Sequence, residues 1–596
     1  VEPRRVLVLD PKQRRHRLRL LYPGRLDADP RANYLLLSGE ALCQYLLRED
    51  PGALVIARGP MPFLSGNKTA VGFISPLTGL PHYGFVGGRG FAEILNLGLD
   101  AIVLTGQGRP EEYVVVSGRA PHVTVEWKAA ADPSNALTAG PSAGSGQDLP
   151  AGQRSAFYWL LERELEGQRE RGSVFTVGKG ALLGYRTANL CGDGLYHAGR
   201  GGAGSVFARF VSALVLRGKP ITWQDWFGPR AEAFWELRER EIRPRLEACT
   251  DRLSRRDGGT VAKLHVMGGG ERPTLPARNA QRLGYNLSDL GAPQVLRASR
   301  AGQTGCHWCQ VNCRHWHWVD VEYAPEGRDM FLDDFEPTYA IYAMLDLQPA
   351  GDSLQDRLRL LEEVDRRLIL PIEQMGCDVI DIGVGLAAMF EGLERGLIPK
   401  DDVPSTLRQA PYLGDLNAAA EAIGALGEGD PAPALRAVGD GPQALAERYP
   451  ALQDMLFTSG PGTLGNPGHA NALWTFLMPF SRFFGHYVGQ LYKIEGVLPD
   501  EPNPEKAQDL FERVIRASLR REFFGGLGNA LSTCAFTFVL FGQDGRGTAL
   551  DESDLLVRTL ACYGIETSRE ELAWFCLLYT SPSPRDCKVD LVCRLL

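Results

Sequence analysis

The sequence predicts an α+β multidomain protein: an N-terminal mainly β domain followed by mainly α-helical domains. Three observations carry this reading. The chain has 596 residues, too many for one hydrophobic core. Short β-type runs crowd its first third, separated by Gly, Pro and Asp turn signals. Beyond them, apolar residues recur at spacings of three and four.

The β-type runs are "RVLVLD" from Arg5, "HRLRLLY" from His16, "ALVIARG" from Ala53, "DAIVLTG" from Asp100, "EEYVVVSG" from Glu111 and "HVTVEW" from His122. After "ARFVSALVLRGKP" the texture becomes helical, as in "WFGPRAEAFWELREREIRPRLEACTDRL" and "SLQDRLRLLEEVDRRLILPIEQMG". This sets an N-terminal domain at 1–218 and helical domains at 219–576, with the cysteine-rich segment inside the helical part. A Pro/Asp/Gly-rich stretch near Gly427 to Pro433 marks a loop or subdomain join. From Leu577 onward, Pro582, Pro584 and two further cysteines interrupt the helical pattern, so 577–596 reads as a non-native tail and Cys587 and Cys593 leave the functional count.

Composition narrows the function. Net charge is -8 with no dense basic stripe, which argues against nucleic-acid binding and for small molecules or another protein as partners. The longest apolar runs, such as "CAFTFVLFG" from Cys534, fall short of the roughly 20 residues a membrane helix needs. No apolar signal core opens the sequence, so a cytoplasmic address is expected. Twelve cysteines are too sparse for a disulfide framework, and their clustering points to metal or redox chemistry in a reducing compartment.

The cluster is "GCHWCQVNCRHWHW" from Gly305, which spaces Cys306, Cys309 and Cys313 as C-x2-C-x3-C. Thiolates so placed hold tetrahedral zinc or the irons of an iron–sulfur cluster, and both want four ligands. A zinc knuckle would take His315 or His317 as the fourth. An iron–sulfur cluster would be closed by a distant cysteine, with Cys191, Cys377, Cys534 and Cys562 as candidates. The spacing favours iron–sulfur, because no paired C-x2-C or H-x3-H lies at zinc-finger distance. A second motif is "AGRGGAG", where glycines let backbone N–H groups approach a phosphate and Arg200 offers a planar fork. An isolated copy would be read as a tight turn.

These motifs together resemble the tungsten-containing aldehyde ferredoxin oxidoreductase family over most of the chain. The resemblance rests on "LSGEALCQYLL" from Leu37, "ARGPMPFLSGNKTAVGFISPLTG" from Ala57, "GRGFAEILNLGLDAIVLTG" from Gly88 and "HAGRGGAGSVFARFVSALVLRG" from His197. "CHWCQVNC" matches the family's cluster motif, and "EQMGCDVIDIGVGLAAMFEGLERGL" resembles its D-x-x-G-L-D helix start. The family's later D-x-x-G-L-C is reduced to "NALSTC".

The resemblance implies a tungsten or molybdenum ion held by two pterins, with Mg2+ bridging their phosphates, and a [4Fe-4S] cluster on Cys306, Cys309, Cys313 and Cys534. It assigns Lys68, Gly87, Gly88, Arg200, Gly201, Gly202, Gly376 and Asp378 to the pterins. Asp378 has a plainer reading as a helix-terminal acid, and Cys377 as a buried small hydrophobe. His486 and Glu336 would handle the proton at the metal, although His486 also suits a core histidine. The implied reaction oxidises an aldehyde to a carboxylic acid and passes electrons to ferredoxin; a homo-oligomer is also expected. The departures are Lys68 in place of an arginine, which loses bidentate geometry, Phe85 in place of an asparagine near the magnesium, and Thr338 in place of a second carboxylate. These keep two alternatives open: the same cofactors with another carbonyl or an aromatic acid derivative, or a non-catalytic iron–sulfur or zinc-binding paralogue.

Overall fold

The computed structural model describes residues 3–22, 38–130, 152–248, 259–261, 276–283, 293–299, 301–333, 339–456, 458–463, 527–537 and 553–572, with a few single or paired positions left out. Two six-stranded sheets make up the N-terminal part. The first contains β1 (Arg4–Asp10), β2 (Arg15–Leu21), β3 (Leu54–Arg58), β4 (Thr69–Ile74), β5 (Pro81–Val86) and β6 (Ala101–Leu104), in the order β2-β1-β6-β3-β4-β5. The second contains β7 (Glu112–Arg119), β8 (His122–Ala129), β9 (Ser173–Thr176), β10 (Leu190–Gly192), β11 (Tyr196–Ala198) and β12 (Ala213–Gly218), in the order β11-β10-β9-β12-β7-β8. Only β1–β6 and β7–β12 pair in parallel; all other neighbours are antiparallel.

The period-2 alternation of side chains explains the layering. On one face of the first sheet, Val55, Ala70 and Val103 pack against Leu42 and Leu46 of helix α1 (Gly39–Glu49). On its other face, Leu7, Ile56 and Val71 share a core with Val114, Leu214 and Leu216 of the second sheet. The opposite face of that second sheet presents Tyr113, Val115, Val174 and Val215 to Phe157 and Leu161 of helix α3 (Gln153–Leu165), helix α2 (Gly90–Asn96) having come before it in the chain. Burial of such fully enclosed Val, Leu and Ile side chains contributes about 1.5–3 kcal/mol each.

Later segments are mainly helical. Helical turns run from Leu354 through Met375 and stop at Gly376, whose φ of 75° lies in the left-handed region. The next helix, Val379–Glu394, is buried along almost its whole length and begins where the Asp378 carboxylate accepts the Ile380 N–H at 2.9 Å.

The cysteine segment departs from its expected helical surroundings. It is framed by a three-stranded antiparallel sheet of Gly302–Thr304, Arg314–Asp320 and Arg328–Asp333. "RHWHWVD" is rich in aromatic and branched residues that suit a pleated surface, and "RDMFLD" supplies its cross-strand partner.

An ion network joins these parts. Arg154 of α3 is almost wholly enclosed and pairs with Asp329 at 2.7 Å and with Glu373 at 3.0 Å, while its third nitrogen donates to the Met330 carbonyl. Tyr158 and Tyr323 hydroxyls donate to Asp329. Among the described residues, no helix is long and apolar enough to cross a membrane.

Candidate functional site

Two strips of backbone bring the cysteines together. The 305–313 turn is held to the N-terminal part where the His307 N–H donates to the Gly88 carbonyl at 3.3 Å and the Tyr196 hydroxyl donates to the Gly305 carbonyl at 2.8 Å. Ser65 steadies it from the other side, its oxygen accepting the Gln310 N–H at 2.9 Å. The second strip pairs residues 66–68 with 532–534. The Cys534 N–H donates to Gly66 at 2.7 Å, the Lys68 N–H to Ser532 at 2.9 Å, and Asn67 bridges Thr533.

Cys306, Cys309, Cys313 and Cys534 therefore share one half-buried neighbourhood. Burial pushes Cys309 up to about 11, and the charges of Cys306 and Cys534 add to this. Cys313 is pushed to about 12, again by burial first, with Arg314 opposing and the other three sulfurs reinforcing. Burial also raises Cys306, against the pull of the Lys68 ammonium. Thiols of this kind ionise when a cation offsets their charge.

The other cysteines proposed as fourth partner lie elsewhere. Cys191 and Cys377 are buried. A Cβ on Gly180 would come 2.5 Å from the Cys377 sulfur, which fits a small packed hydrophobe. Cys562 ends the helix Ser553–Cys562, near Arg230 and Arg558. His317 is taken up by Asp365, with Nε2 at 3.4 Å from its carboxylate.

Gly87 borders the Cys306 sulfur. A Cβ there would fall 2.7 Å from the Cys306 sulfur and 2.6 Å from the Tyr196 ring, whose hydroxyl is already fixed on Gly305. At Gly88, where φ is 77°, a Cβ would strike the Asp193 carboxylate that accepts the Arg89 N–H. Gly87→Ala is expected to lower iron per chain several-fold, because the added methyl would press on the Cys306 sulfur and on a Tyr196 ring anchored through its hydroxyl. Gly424→Ala is the control: it sits in a helix with open space around it and should hold its iron and gain about 1 kcal/mol. Unchanged iron in the Gly87 variant would rule out the tight packing as a requirement.

The structure also places the other residues named from the sequence. Arg200 reaches Asp378 at 3.3 Å and Asp381 at 3.6 Å. Burial raises the Asp378 carboxyl well above its usual range, Asp381 adds to this and Arg200 opposes it. Gly201 lies against His82, 2.6 Å from where a Cβ would stand, and Gly202 lies against the Arg186 carbonyl. Gly376 packs on Gly178. Phe85 joins the core beneath α1. Glu336, Thr338, His486 and the segment 577–596 lie outside the described residues.

Sequence reasoning passed over Asn67, Thr69 and Thr537. All three are buried, and among the described residues the Asn67 oxygen and nitrogen and both threonine hydroxyls have no hydrogen-bond partner. Buried polar atoms are rarely left so. Together with the glycine-lined approach to Cys306, they are what a seam built to receive a polar group would show.

The fold and site define a class: proteins that gather four thiols and a glycine-lined seam between a sheet-rich part and later, mainly helical segments. Comparison with known proteins makes this specific. The family profile described as "Aldehyde ferredoxin oxidoreductase, N-terminal domain" matches residues 48–218, and that described as "Aldehyde ferredoxin oxidoreductase, domains 2 & 3" matches 241–575. The chain belongs to the aldehyde ferredoxin oxidoreductase family. It is 24% identical over 360 residues to proteins of Pyrococcus horikoshii and Pyrococcus abyssi, each named tungsten-containing aldehyde ferredoxin oxidoreductase. That match covers 59% of this chain and 51% of each relative, so the chain spans about half the length of the curated relatives it matches. Among solved structures, it is similar in fold to the active site complex BamBC of benzoyl coenzyme A reductase in complex with 1,5-dienoyl-CoA. The TM-score is 0.63 at 16% identity, covering 96% of this chain and 87% of that one.

Proposed function

We propose that the protein is a cytoplasmic tungsten or molybdenum bis-pterin oxidoreductase carrying one [4Fe-4S] cluster, which oxidises an aldehyde to a carboxylic acid and passes the electrons to ferredoxin or a similar carrier. The single observation behind this is the meeting of Cys534 with Cys306, Cys309 and Cys313 beside the Gly87–Gly88 turn. A zinc ion with bonds of about 2.3 Å would draw its thiolates to about 3.8 Å of one another. The spacing C-x2-C-x3-C with a distant fourth cysteine suits a cluster better than a zinc finger's paired ligands.

When bound, the pterin-held metal supplies the two-electron step and the cluster supplies single-electron exchange with the carrier. The chain's own residues position and tune. Val311 N–H and the Ser65 hydroxyl donate to the Cys309 sulfur at 3.4 and 3.9 Å, contacts that raise a cluster's potential. Lys68 places a positive charge toward Cys306, to the same effect. Arg200, Gly201 and Gly202 would hold a pterin phosphate, with Mg2+ to offset its charge, and the Asp378 carboxyl would hydrogen-bond the ring. Glu336 and His486 would take up the protons released as the aldehyde gains an oxygen from water and gives up two electrons.

Metal analysis with oxidative pterin release, on protein made without oxygen in a host that produces the cofactor, tests this. About one tungsten or molybdenum, about two pterins and about four irons per chain are expected. Iron without pterin would mean a non-catalytic, cluster-bearing role, and zinc alone would overturn the reading. A second reading keeps the cofactors but changes the substrate to another carbonyl compound or an aromatic acid derivative. Thr338 favours it, because the family's second carboxylate is missing there. A viologen-linked screen of aldehydes against aromatic acyl thioesters separates the two.

A further inference from the structure

We propose that the Asn67 carboxamide recognises the lactam edge of a pterin ring, and so is a cofactor-positioning residue beside the cluster. This rests on the bis-pterin reading above and adds a residue to it. Asn67 is 2% exposed, and neither its oxygen nor its nitrogen has a partner among the described residues. Its backbone is fixed in the bridge to Thr533, next to the Cys534 strip.

The direction of the side chain follows from the extended backbone. Thr69, two residues on, shares its face. The Thr69 hydroxyl also has no partner among the described residues, is fully buried, and lies 2.8 Å from where a Cβ on Gly90 would stand. That face therefore looks toward the 87–90 turn, at the end where a Cβ on Gly87 would meet the Cys306 sulfur.

The chemistry selects the ligand. A primary amide presents one acceptor and two donors on adjacent atoms. Cluster sulfides and ionised phosphates only accept, and would leave the amide oxygen unsatisfied. A metal ion would take the oxygen alone. An N–H beside a C=O, as on the pyrimidinone ring of a pterin, satisfies both atoms at once, as an Asn amide does on a nucleobase edge.

The test uses full-length protein purified without oxygen as wild type, Asn67→Leu and Asn67→Asp, with pterin, tungsten or molybdenum and iron measured per chain, and the cluster's spectrum recorded. In N67L, pterin and its metal should fall about tenfold or more, with iron and the cluster signal unchanged. N67D keeps the shape and the acceptor but loses the donor, and should fall between the two. Wild-type pterin content in N67L overturns the assignment. Parallel loss of iron, pterin and melting temperature also overturns it, since that marks a structural role; if N67L does not fold, N67D decides by the same criteria. A wild type without pterin sinks the parent reading and this one with it, whereas loaded wild type and equally loaded N67L sink this one alone.

Discussion

Cys534→Ser is expected to reduce iron from about four per chain to less than one and to abolish carrier- or dye-linked activity by a factor of about 100 or more. The strip pairing with 66–68 fixes the backbone at this position, so the serine oxygen would stand where the sulfur stood. Only the ligand chemistry changes, because an alcohol is far less acidic than a thiol and a poor ligand for iron. Cys377→Ser is the matched control. That thiol is buried with its proton affinity pushed up to about 12, chiefly by burial, so the variant should keep its iron and lose about 1–3 kcal/mol of stability from burying a hydroxyl. If the Cys377 variant lost iron and the Cys534 variant kept it, the ligand set would have to be redrawn.

Arg154→Met should destabilise the folded state by about 3–5 kcal/mol at neutral pH, because it leaves Asp329 and Glu373 buried without their cation. The pH dependence gives a sharper check. Burial alone would raise Asp329, but Arg154 together with the Tyr158 and Tyr323 hydroxyls more than offsets this, and its folded pKa lies below the ordinary value. Its contribution to the wild type is thus present at neutral pH and lost as pH falls through that folded value. Glu373 runs the other way: burial raises it despite Arg154, so its ionised form costs stability at neutral pH and protonation relieves that cost. Without the arginine, both carboxyls would bind protons more tightly when folded. The deficit of R154M relative to wild type should therefore shrink between pH 7 and pH 5 in denaturant titrations. A deficit below about 1 kcal/mol, or one that grows over this interval, would falsify the network's role.

Local patterns in the sequence carried much of the fold. The six β-type runs correspond to β1, β2, β3, β6, β7 and β8, each marked by alternation or by an unbroken branched run between turn residues. The strands that went unread are short or carry glycines, as in "TAVGFI" and "LCG". The sheet around the cysteines was masked by the helical texture on either side. In the site, three thiols close together in sequence were legible, while the partner Cys534 came only from family resemblance. Arg154 shows why: its carboxylate partners lie 175 and 219 residues away, and such pairings leave no trace in local spacing. Asn67 had a faint signal, standing immediately before the Lys68 that resemblance had marked, but an unpaired amide becomes visible only once its surroundings are known.

The pairing of residues 66–68 with 532–534 also sets an order of events during synthesis. At roughly 5–20 residues per second, Cys534 leaves the ribosome about 10–45 s after Cys313. For that interval the nascent chain presents three neighbouring thiols without their fourth. Any factor that delivers iron must then wait for the last ligand or engage an open, three-thiol site, whose exposed sulfurs are the point at which oxygen or a competing soft metal ion would do the most damage.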